Sequence, residues 1–145
     1  MKKIIDLDLG PIKYKLVVEK GLDAATVSRH IIKYKRFLVL LYLYPETRFA
    51  PDHEIDDIWH AYILDTEKYR EDCAQLFGRF LDHFPYFGLR SPEDRKRLDE
   101  AYVHTKYMYL KEFGVDICDV SLTCGRDGGG GMCNNNVEPV RPTLN

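Results

Sequence analysis

The stretch from His53 to His60 carries two imidazoles and a carboxylate at positions i, i+3 and i+7, so on a helix His53, Asp56 and His60 share one face beside Trp59 and Ile63. A carboxylate and an imidazole four residues apart can touch. Cys73 and then His83 come later in the chain, and imidazole nitrogen, thiolate sulfur and carboxylate oxygen together are a ligand set that suits zinc, with Asp56 orienting His60. The residues expected to hold such a metal are Asp56, His60, Cys73 and His83. The spacing His60-x12-Cys73-x9-His83 matches no compact finger pattern, so the reading requires all four side chains to converge between neighbouring helices. The competing expectation is structural: Asp56 and His60 form a buried hydrogen-bonded pair, and Cys73 is a small core residue. A third makes Cys73 a nucleophile with His60 or His83 as its base, although no reactive turn or oxyanion hole surrounds it.

The elements that must position these groups are helical. From Ala24, Val27, Ile31, Tyr34, Leu38 and Leu41 step by three or four to Tyr44 after a turn at Gly21-Leu22 and an N-cap at Asp23, which predicts a helix of about six turns. Its second half is apolar on every side, so it is expected to lie at the centre of the fold. Arg29, Lys33, Lys35 and Arg36 are expected to form a solvated basic face on it. Asp52 caps a helix over 53–64, and Asp65 or Thr66 caps the next, on which Tyr69, Cys73, Leu76 and Phe77 share a face up to Gly78. Phe80 to Leu89 reads as a packed aromatic loop. Ser91-Pro92-Glu93-Asp94 opens a last helix with Leu98, Tyr102, Thr105, Tyr109 and Phe113 on one stripe, closed by Gly114. Before all of these, a short helix is expected to begin at Pro11. The aromatic residues Trp59, Tyr62, Tyr69, Phe84, Tyr86 and Phe87 are read as core or rim rather than as a binding surface.

The fold class is thus all-α, a compact bundle of about five helices over residues 1–115, followed by a Cys/Gly/Asn-rich tail over 116–145. A chain of 145 residues can bury a core without staples. With 21 basic against 23 acidic side chains, no overall field favours nucleic acid or an anionic membrane. The run from Phe37 to Tyr44 is far short of the roughly 20 apolar residues that cross a bilayer. Asp6 and Asp8 break any leader-like apolar segment, so the expectation is a cytoplasmic protein. In the tail, Cys118, Cys124 and Cys133 are thiols that could chelate a soft metal, oxidise or be modified, set against a disordered end, mobile after about residue 122, whose truncation after Thr123 is expected to leave thermal stability nearly unchanged. Gly128 to Gly131 lacks the Lys-Ser or Lys-Thr that would complete a phosphate cradle.

Tyr34, Arg36, Phe37 and Leu38, then Asp56-x2-Trp59-His60, Ile63-Leu64-Asp65-Thr66, Tyr69, Cys73, Phe77-Gly78 and His83-x-Pro85, together resemble the small bacterial members of the glycine-rich domain-containing protein family. That resemblance covers roughly residues 4–85 and implies a helical domain followed by glycine-rich sequence, with no established reaction. It marks Trp59, Thr66 and Tyr69 as parts of a shared motif. One departure is Tyr62, where the family commonly has a second histidine. The expected function is a non-enzymatic binding module with a protein or peptide partner, and zinc is the candidate ion should it hold a metal. The alternative is a small metal-dependent or cysteine-dependent enzyme using His60, Cys73 and His83. An enzyme needs an open cleft that reaches His60 or Cys73, whereas a module can bury both.

Overall fold

The computed structural model describes residues 1–119, and six helices form among them: α1 Lys2–Ile5, α2 Gly10–Lys20, α3 Ala24–Leu43, α4 His53–Leu64, α5 Thr66–Phe77 and α6 Pro92–Phe113. No strand is present among the described residues, so the architecture is all-α, and the single turn of α1 accompanies five helices of three turns or more. Helix α2 begins at Gly10, where the Asp8 carboxylate accepts a hydrogen bond from the Gly10 amide at 2.8 Å. The α1 turn was not expected. It carries no side-chain cap, and it is held by burial of Ile4.

Four local sequence signals set the helix starts. The side chains of Asp23, Asp52, Asp65 and Ser91 each accept from an amide three residues on, at 2.9, 2.9, 3.4 and 3.1 Å. Each cap satisfies one of the amides that a helix start leaves orphaned, worth about 1 kcal/mol. Asp65 alone separates α4 from α5.

Helix α3 is the hub, touching α1, α2, α4 and α6, while α5 packs on α4. Val27, Tyr34, Phe37, Leu38, Val39 and Leu40 are buried, and the closing Tyr42 and Leu43 are partly exposed, so the all-round burial expected of its second half stops one turn early. The expected solvated basic face is corrected. Lys33 is buried and its ammonium lies 2.6 Å from Asp52 and 2.5 Å from Glu54, which pins α3 to the start of α4. Burial opposes the lysine charge, but the two carboxylates outweigh it and raise its pKa. Lys35 donates to the Ile5 carbonyl at 2.7 Å, and the Arg36 guanidinium sits 5.9 and 5.7 Å from the ring centres of Tyr109 and Phe113. Lys33 is thus buried, while the half-buried Lys35 and Arg36 also tie α3 to neighbouring segments.

Packing continues past the boundary drawn at residue 115, since Ile117 is fully buried in the core and Cys118 packs against it. The readings that fall on Cys124, Cys133 and the glycine run, including truncation after Thr123, lie outside the described residues.

Candidate metal centre

Helix α4 does two jobs with opposite faces. Ile55, Ile58, Trp59 and Tyr62 enter the core, while Asp56 and His60, one turn apart, reach toward the loop after α5. That loop brings His83 against them. Its Nε2 lies 2.6 Å from Asp56 Oδ1, and His60 Nε2 lies 3.3 Å from Asp56 Oδ2, so one carboxylate faces an imidazole with each oxygen. The two imidazole rings are 4.7 Å apart, and each of the three residues offers a ligand atom within 4.8 Å of the others. Asp56 is buried, His83 is half-buried and His60 keeps 44% of its side chain exposed.

The loop is fixed by bonds that run deep into the fold. Trp59 Nε1 donates to the Tyr69 hydroxyl at 2.9 Å, and that hydroxyl donates to the Leu81 carbonyl at 2.6 Å, two residues before His83. The Trp59 ring also meets the His83 ring edge-on at 4.5 Å. At the loop's far end the buried Asp94 carboxylate accepts from the Gly88 amide at 2.8 Å and pairs with Arg90 at 2.6 Å. The Arg90 hydrogen bond, before any other cause, holds the Asp94 carboxyl well below the usual carboxylate range.

Cys73 is not among the three converging residues. It lies one turn after Tyr69 on the inward face of α5, buried in the core, and burial pushes its thiol pKa up against the opposing pull of its Leu81 backbone and Tyr69 hydroxyl contacts. A raised pKa is the reverse of what a nucleophilic thiolate needs. Tyr62 also belongs to the core, its hydroxyl donating to Asp72, so position 62 does not bear on the cluster. Thr66 is exposed at the first position of α5, and His53 lines the neighbouring cleft without joining the three ligand candidates. Cys118 is partly buried against the core, and its amide donates to the Asp116 carboxylate at 2.8 Å.

The cluster forms one wall of an open cleft of about 460 Å³. The two arginines of the cleft, Arg48 and Arg79, escaped the sequence reading because both sit in irregular segments where no periodicity assigns a facing. The loop that carries Arg48 is tied down at Thr105, whose hydroxyl accepts from the Ala50 amide at 2.9 Å and donates to the Ala101 carbonyl at 2.8 Å.

Comparison with known proteins turns on residues 13–106, which match the model of one family, UCP032817-like, over more than half of the chain. The chain belongs to the UCP032817-like family. This overturns the resemblance to the glycine-rich domain-containing proteins: the motif residues around Trp59-His60 lie inside the UCP032817-like match, and nothing indicates the other family. UCP032817-like is an uncharacterised family, so membership assigns no reaction. No curated protein and no solved structure matches the chain. Among the described residues, no helix is long and apolar enough to cross a membrane.

Proposed function

We propose that this domain is a metal-binding module in which Asp56, His60 and His83 hold a divalent transition ion, zinc being the natural candidate, at the wall of the cleft. The observation that carries the reading is the convergence of two imidazoles and one carboxylate, from a helix face and a separate loop, within 4.8 Å. Ligand atoms around a tetrahedral zinc sit about 3.4 Å apart, given bonds of about 2.0–2.1 Å. The 3.3 Å and 2.6 Å contacts of His60 and His83 run to different oxygens of Asp56, and with all three ligand atoms inside 4.8 Å a side-chain adjustment of about 1–2 Å would bring them to that spacing around an ion. The relay from Trp59 through Tyr69 to Leu81 supplies the support that orients a ligand-bearing loop.

The module reading includes a protein or peptide partner, for which the exposed rings of Phe80, Phe84 and Tyr86 offer apolar contact. A second reading is supported by one observation, the exposure of His60 in an open cleft: an ion there could hold an activated water and act as a hydrolytic centre. The buried Cys73 does not support a cysteine-dependent enzyme.

Elemental analysis of tag-free protein, with cobalt(II) or copper(II) titration followed by quenching of Trp59, tests the module. Trp59 is the one tryptophan and touches His83, so bound metal should quench it strongly. In the exposed-site variant His60→Ala the quenching should weaken at least tenfold in metal concentration while the fold persists. Equal quenching of parent and variant would remove the metal reading. Hydrolysis of an activated ester by the zinc-loaded parent, lost in His60→Ala, would favour the enzyme.

A further inference from the structure

We infer that the cleft beside the metal site takes a small ligand carrying an oxyanion, a carboxylate or a phosphate, which binds the ion directly and lies against Arg48. This rests on the metal reading above and names the ligand class of that same site. Asp56, His60 and His83 all line the cleft, with Trp59 and Leu81 lining it beside them, so an ion held by these three would lie at the cleft wall within reach of a group in the cleft. Three ligands with open positions are the arrangement of a centre that receives an exogenous group.

Charge favours an anion there. A divalent ion on two neutral imidazoles and one carboxylate leaves a single net positive charge. Of the other acids on the cleft, Asp52 is held by Lys33 at 2.6 Å and Asp99 by Arg95 at 3.5 Å. Glu46 and Asp82 remain, and they are matched in number by Arg48 and Arg79. The loaded cleft is therefore cationic by about one unit, at the metal.

Arg48 supplies the second contact. Its guanidinium lies 5.8 Å from the centre of Phe84 and 5.2 Å from that of Phe87, on the same loop segment that begins with His83. Among the described residues, no carboxylate forms an ion pair with it. Rings that hold a guanidinium by its face leave its N–H edge to donate, and two parallel donors match a carboxylate or phosphate. Residue 48 is exposed, so replacing it removes the donor edge without opening the core.

The test uses the full chain loaded with cobalt(II), whose visible spectrum reports its coordination, titrated separately with inorganic phosphate and with succinate. A saturable spectral change with either anion is expected, and Arg48→Gln should weaken it about tenfold or more while cobalt(II) affinity stays within about twofold. Tighter phosphate marks a phosphorylated ligand and tighter succinate a carboxylic one. Cobalt(II) bound normally with a spectrum that neither anion moves, or anion affinity equal in parent and Arg48→Gln, overturns the ligand class and leaves the metal reading standing. Failure to bind cobalt(II), the same in parent and His60→Ala, overturns both.

Discussion

Single side chains in this domain matter through the partners they would strand. The Tyr69 hydroxyl is both acceptor for Trp59 and donor to Leu81, with all three residues buried, so Tyr69→Phe removes two hydrogen bonds and leaves an indole N–H and a carbonyl without partners. The expected cost is about 2–4 kcal/mol, read as a fall in the denaturant midpoint. It should also loosen the His83 loop, so metal affinity falls although no ligand is touched. Glu54 makes a prediction in pH. His30, and after it Lys33, hold its carboxyl down to about 2 from an ordinary value near 4.5. A carboxylate whose native pKa is depressed adds stability above the unfolded value, and that contribution drains away as pH falls from about 4.5 to about 2. Acid titration of the melting temperature should show this loss, and Glu54→Gln should flatten it in that window; identical acid profiles would contradict it. Local rules placed two of the three cluster residues on one face, while His83 was named by its ligand chemistry and brought in by a loop whose path only the fold sets. Asp56 and His60 follow from helix phase, whereas Cys73 shares its phase with Tyr69, and the same periodicity that named it also turned it inward.

Among the elements, the loop between α5 and α6 is the one whose shape was least legible. Its aromatics say that it packs, but its path is set by bonds to distant residues: Tyr69 from one side and Asp94 from the other. Gly88 shows how tightly. Its φ of +87° lies in the left-handed region, and a Cβ there would meet the Leu98 side chain at 2.5 Å. Gly88→Ala is therefore expected to destabilise by about 1–3 kcal/mol through both conformation and collision, and Leu98→Ala should relieve only the collision. A melting temperature unchanged in Gly88→Ala would mean the loop is free to move. Helix starts, by contrast, were legible almost to the residue, because a cap and its amide are three positions apart and need no tertiary information. The basic residues of α3 were not, since whether Lys33 faces water or Asp52 depends on where α4 lies.

At the scale of the whole molecule, the bundle is organised on α3 and closed by the short segment beyond α6. Ile117 fills the core from that segment, so shortening the chain after Gly114, or making Ile117→Ala, should cost about 2–4 kcal/mol in unfolding measurements. A shortened protein as stable as the parent would show that this contact is dispensable. The all-helical class and the central place of α3 were legible because apolar periodicity records burial directly; the one-turn α1, with four residues and no cap, leaves no such record. The single-residue joint at Asp65 has a consequence for how this chain can vary. An added residue there would turn α5 by about 100° and advance it by about 1.5 Å, swinging the Tyr69 hydroxyl away from the indole and the Leu81 carbonyl together. Length changes in this domain should therefore spare the α4–α5 elbow, which behaves as a rigid bracket whose two arms must keep their angular register.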